Sequence, residues 1–237
     1  MRFPSRARTF MRELQRDTTR EWFEANKDRY RAAHAEVTAF AEDVGARLGE
    51  TDVLAAGKKP VMRVYRDVRF SKDKTPYKRH WGGGFDRAGR ERRGGYYWHV
   101  EPGGIKTWDE FGGGEAFAGG GFWSPERDDL KRIREELAVD HAHFAELLAS
   151  EPIRSVFGGK LFAYDKLKTA PRDYPKDHPA IDLLRHKNFV LVRHFSREEV
   201  AAPDFSEEVA RTFVAMRPFL DYMSTVLTTD RNGVSVL

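Results

Sequence analysis

Apolar residues recur at helical spacing in several stretches of the chain. Phe10 and Leu14 share one face of a short helix expected over residues 5–16, with Ser5 as its cap. Trp22, Phe23, Asn26, Tyr30, Ala33, Val37, Phe40, Val44 and Leu48 follow at steps of three and four, which predicts a long amphipathic helix ending near Gly49. Thr18 and Glu21 stand where a capping box would open it, each side chain satisfying an orphan backbone amide. Ser124-Pro125-Glu126 reads as another start: serine caps, proline suits the first turn, and glutamate favours the positive end of the dipole. Leu130, Ile133, Leu137, His141, Phe144 and Leu148 then mark one face. Ser196 and Glu199 form a second capping-box pattern over a short helix. Val209, Phe213, Met216, Leu220, Met223 and Leu227 define a last helix, which Pro218 is expected to kink.

Between the helical stretches the period falls to two. Residues 61–65 and 96–100 are rich in β-branched and aromatic residues and read as strands. Segments 104–108, 115–122 and 160–164 are further strand candidates, and 189–195 alternates. A short helix is expected at 180–187. Glycine turns suggest antiparallel hairpins. The order predicts an α+β fold, a mainly antiparallel sheet covered by helices. No linker interrupts it, so residues 1–237 are expected to form a single domain with its core over about 8–225.

Composition sharpens this outline. Fourteen of the 20 glycines lie between Gly82 and Gly121, including three triplets that alternate with aromatic-rich pieces that need burial. The net charge of +4 is unevenly spread: residues 58–93 carry +9 and the remainder −5. A local field of this kind points to an anionic partner. Tyr65, Phe70, Tyr77 and Trp81 are interleaved with these bases. There is no cysteine, which excludes disulfides, thiolate metal sites and cysteine nucleophiles. No apolar run reaches membrane-span length, and the arginine-bearing first ten residues lack the apolar stretch of a secretory signal. A cytoplasmic protein without a membrane partner is expected.

Candidate chemistry gathers in two segments. In residues 63–78, Arg63, Arg66, Arg69, Lys72, Lys74 and Lys78 could converge on phosphate or carboxylate, with Tyr77 among them. Arginine offers a bidentate fork and lysine a point charge. Asp67 and Asp73 either pair with these bases or hold a divalent metal through oxygen, with Glu101 as a further metal candidate. Asp67, Asp73 and His178 are the candidates for acid–base catalysis. In residues 167–187, Pro171, Pro175 and Pro179 stiffen a loop carrying Lys168 and Arg172, and Lys187 follows it. Asp177 or His178 would otherwise serve as a helix cap. His141 and His143 fall on different helix faces, so His141 is expected to pack rather than ligate.

The run from Arg66 through Asp67, Phe70, Ser71, Lys74 and Pro76 to Lys78 resembles the signature of the family catalogued as domain of unknown function 2461. Glu21-Trp22-Phe23, Tyr96-Tyr97 to Glu101-Pro102, and Leu167-Lys168 through His178-Pro179 to Lys187 match it in order. The resemblance implies a single-domain soluble protein and brings no activity or catalytic residue with it.

The expected function is therefore a basic anion-binding site, for phosphate, nucleotide or nucleic acid, formed where 63–78 meets 167–187. No cofactor is predicted, though a divalent metal is compatible. A metal-assisted hydrolase or phosphoryl-transfer enzyme is the alternative, and a non-catalytic protein-interaction module the second. The glycine triplets lack the strand-to-helix context of dinucleotide binding, there is no Walker A motif, and Ser71 has no nucleophile-elbow context. Oligomeric state is not legible.

Overall fold

The structure, a computed structural model, describes residues 1–106, 113–230 and 232–237. Helices α1 (Ser5–Arg16), α2 (Arg20–Ala25) and α3 (Lys27–Gly49) open the chain. Strands β1 (Trp81–Asp86), β2 (Gly95–Val100) and β3 (Ala116–Phe122) follow. Helices α4 (Arg127–Val139), α5 (His141–Ala149), α6 (Glu151–Phe157) and α7 (Ile181–Leu184) then lead to β4 (Phe189–Phe195), α8 (Arg197–Ala201) and α9 (Phe205–Thr228). The sheet order is β1-β2-β3-β4 with every neighbour antiparallel. The fold is α+β, as the alternating and helical patterns predict.

Helices α3 and α9 pack together and against the sheet, with α9 lying over β2 and β3. Their apolar faces meet Tyr96, Trp98, Ala118 and Leu191 in one continuous core. The Ser196–Glu199 capping box forms as expected, with both reciprocal hydrogen bonds present. The other starts shift. Thr19, not Thr18, caps α2 by accepting from the Trp22 amide, and Asn26 separates α2 from α3. Ser124 adopts a left-handed backbone (φ 48°) and caps nothing; its amide is held by the Asn188 side chain. The helix expected from 124 to 148 is broken at Asp140, whose side chain accepts from the His143 amide and restarts the chain as α5. The final helix runs through Pro218.

Several strand assignments change. Residues 61–65 form only a ladder fragment, Met62 to Gly82 and a Tyr65–Tyr77 bridge. The strand is instead the Trp81-Gly82-Gly83-Gly84 run, read from sequence as a turn. A side chain at Gly83 would place its Cβ 1.8 Å from the Pro60 carbonyl oxygen. The glycines there let another backbone cross the strand closely. Residues 160–164 contribute only a Phe162 amide bond to Val190 rather than a strand. Residues 104–106 lie outside any strand, and 107–108 lie outside the described residues.

His186, between α7 and β4, is buried, and among the described residues its Nδ1 has no hydrogen-bond partner. Burial, with Lys166 nearby, pushes its pKa down to about 4. The folded state keeps this ring neutral while an unfolded histidine takes up a proton below about pH 6.5. Stability is therefore expected to fall as pH drops from about 6.5 through 4, by about 2–3 kcal/mol from this ring. Denaturant unfolding at neutral and acid pH checks it: His186→Leu should lose less stability on acidification than the wild type, and an identical loss would refute the assignment.

Candidate functional site

β2 sends its side chains alternately to two sides. Trp98 and Tyr96 face the helices, 5.8 Å from Phe40 and 5.2 Å from Phe213 between ring centroids. Tyr97, His99 and, just past the strand, Glu101 therefore face the other way. The antiparallel register places Trp81 opposite Val100, so His80, one residue before β1, arrives beside Glu101 and His99. Gly82 lies opposite His99 and contributes no side chain. A Cβ there would come within 2.8 Å of the Tyr97 hydroxyl and 3.4 Å of the His80 ring.

The result is a buried group of three. The His80 and His99 rings lie 4.1 Å apart, and His99 Nε2 is 3.3 Å from Glu101 Oε2. The other ring nitrogen, Nδ1, is 3.3 Å from the Tyr97 hydroxyl. Phe117 stacks on His99 at 4.9 Å. One ligand atom from each of His80, His99 and Glu101 lies within 4.8 Å of the others. Burial pushes both imidazoles below the ordinary histidine range, His80 the further, with nearby positive charge adding to the effect; Glu101 opposes it at His99. Neutral rings with a carboxylate form a nitrogen–oxygen donor set suited to a divalent transition metal.

Above this group opens a cavity of about 200 Å³. Arg66, Lys78, Arg79 and Lys106 line it, with Tyr77 as a wall and His80 and Glu101 reaching it from the buried group. Asp73 also lines it but is held by the Thr75 hydroxyl and amide and by Arg66 Nη1 at 2.7 Å, which keep its pKa at about 2. Lys78 is half-buried, and desolvation, with Arg63 adding repulsion, lowers its pKa. Four cations against two carboxylates leave the lining positive.

The expected ligand residues are only partly gathered. Arg66, Tyr77 and Lys78 line the cavity; Arg63, Arg69, Lys72 and Lys74 do not. Arg63 and Lys72 are exposed, Arg69 pairs with Asp67 at 2.7 Å, and Lys74 donates to the Val68 carbonyl. The two aspartates proposed as metal or acid–base groups are thus tied to arginines, while Glu101 joins the histidines.

The second segment is elsewhere. Residues 60–64 hang from β1 and residues 167–187 lead into β4, the opposite edges of the sheet. None of Lys168, Arg172, His178 or Lys187 lines the cavity, so the expected convergence of the two segments is not seen. Lys168 and Arg172 are exposed, Lys187 pairs with Asp165 at 2.8 Å, and Arg185 ties the loop down through the Leu167 carbonyl. His178 Nδ1 accepts from the Ala180 amide, so it caps the turn.

Sequence reading missed His80 and His99. The signal was present: His99-x-Glu101 on a strand puts both side chains on one face, and His80 precedes a glycine triplet. The aromatics among the bases serve packing instead of base stacking. Tyr77 stacks on Phe23 at 4.2 Å and Trp81 on Tyr30 at 5.9 Å; only Phe70 is left almost wholly exposed.

Fold and site together describe an α+β domain with a basic cavity over a buried histidine–carboxylate group. The chain belongs to the family described as conserved hypothetical protein (DUF2461), whose model matches residues 6–222. No curated protein and no solved structure matches it. Among the described residues, no helix is long and apolar enough to cross a membrane.

Proposed function

We propose that this protein binds a small anion, a phosphate or carboxylate group, in the cavity walled by Arg66, Lys78, Arg79 and Lys106. The observation that carries the reading is the meeting of four cations from residues 66–106 around one concave space. Its volume, about 200 Å³, is below the roughly 300–1,000 Å³ of sites that enclose drug-sized ligands, which favours a small anion or the charged end of a larger one. A half-desolvated lysine attracts an anion more strongly than a solvated one does, because less water screens the pair. Phe70 and Tyr65 are the exposed aromatics among these basic residues and neither lines the cavity, whose own aromatic, Tyr77, is buried, which favours a small ligand over single-stranded nucleic acid.

Thermal shift with inorganic phosphate, pyrophosphate and small phosphomonoesters tests this. A ligand that binds only the native state stabilises it by about 2.7 kcal/mol at one hundred times its Kd. Stabilisation should weaken with added salt and vanish in Arg66→Ala/Lys78→Ala. No shift at low salt, or an undiminished one in the double variant, would refute the reading.

A further inference from the structure

The three side chains below the cavity have a chemistry that anion binding does not use. We propose that His80, His99 and Glu101 hold one divalent first-row transition ion, and that the anion gripped by the cationic wall completes its coordination. Two imidazoles and a carboxylate suit zinc, cobalt, manganese or iron(II), whereas calcium and magnesium favour all-oxygen shells. Three protein ligands leave coordination positions open, the pattern of reactive metal sites as opposed to structural ones.

The geometry supports this in four ways. The donor atoms lie within 4.8 Å of one another; around an ion with bonds of about 2.0–2.2 Å they would stand roughly 3–4 Å apart, a change within reach of side-chain rotation. His99 directs Nδ1 toward the Tyr97 hydroxyl, so Nε2 is the nitrogen turned toward Glu101 and the one that would face the ion. That is the outer-shell contact by which metal-bound histidines are oriented. Gly82 keeps the space between Tyr97 and His80 clear of a Cβ. Finally, His80 and Glu101 also line the cavity, so the open positions of an ion between them face Arg66, Lys78, Arg79 and Lys106. A bound anion would then touch metal and cations together. The metal part stands on its own residues; the coupling rests on the anion-binding reading.

Chelator-stripped full-length protein titrated with cobalt(II), followed by calorimetry and visible absorption, tests both parts. One cobalt per chain is expected, with the d–d bands of a nitrogen–oxygen site. Glu101→Gln and His80→Gln should each weaken cobalt by more than the 10–100-fold or so that losing an outer-shell partner costs. Circular dichroism and melting of both variants show whether each folds, and two separate ligands guard against the failure of one variant. Inorganic phosphate should tighten cobalt by the factor with which cobalt tightens phosphate. Lys78→Ala should keep the cobalt spectrum and lose the phosphate effect. Absence of stoichiometric binding, or unchanged affinity in folded Glu101→Gln and His80→Gln, overturns the metal centre. Cobalt affinity indifferent to phosphate overturns the coupling. Phosphate binding to metal-free protein that survives in Glu101→Gln, without any cobalt binding, leaves the anion pocket and removes the metal from it.

Discussion

Replacing Arg87 by methionine is expected to lower the unfolding free energy by about 3–5 kcal/mol. Arg87 lies at the end of β1 with its side chain almost fully buried. Its Nε donates to Asp52 at 2.6 Å, Nη2 to Asp221, and Nη1 to the Ser224 hydroxyl at 3.3 Å. Tyr96 donates its hydroxyl to the same Asp52 carboxylate at 2.6 Å. Burial alone would raise the Asp52 pKa; the hydrogen bonds from Tyr96 and Arg87 outweigh it and leave the carboxyl below its usual range. The network joins the chain just beyond α3 to β1, β2 and α9. Methionine retains much of the apolar stem but leaves Asp52 buried without its cation, and an uncompensated buried charge is the dominant cost. Chemical denaturation of the variant checks the figure. Asp52→Asn/Arg87→Met should recover part of the loss, since it removes the stranded charge as well; a single variant within about 1 kcal/mol of wild type would show that water reaches the site.

Gly83→Ala is expected to cost about 3 kcal/mol or more, because no rotamer can relieve the contact. The new Cβ would sit 1.8 Å from the Pro60 carbonyl oxygen and 2.9 Å from the Trp98 ring. Backbone has to move, and the segment that moves is the one leading to Arg66 and Lys78. The variant should therefore melt earlier and also lose phosphate binding when assayed well below its melting point. Gly49→Ala, at the C-terminal end of α3, is the control: nothing stands within 4 Å of its Cβ, and the variant should melt close to wild type. If Gly83→Ala melts like wild type, the crossing of residue 60 over β1 is wrong, and with it the position of the cationic wall.

These two positions show why the site was only half legible. Charge and motif pointed to residues 63–78, and Arg66 and Lys78 do line the cavity. The same reasoning overcounted, because a linear charge run says nothing about direction: Arg69 turns to Asp67 two residues away, and Lys74 turns back to the Val68 carbonyl. It also joined 63–78 to 167–187, which the strand order separates to opposite edges. His80 and His99 escaped notice since they stand 19 positions apart, and only the β1–β2 register closes that gap.

By itself the sequence determined the α+β class, the Ser196–Glu199 cap, strands β2, β3 and β4, and the amphipathic faces of α3 and α9. Those follow from local periodicity and hydrogen bonding between near neighbours, which operate whatever the rest of the chain does. Tertiary structure alone decided that a glycine triplet is a strand, since that depends on the Pro60 backbone crossing it. It also decided which cations face a common space, and that two histidines and a glutamate meet beneath them. Such meetings are set by strand register and side-chain direction across distant segments, and a one-residue slip in β1 would turn His80 to the other face.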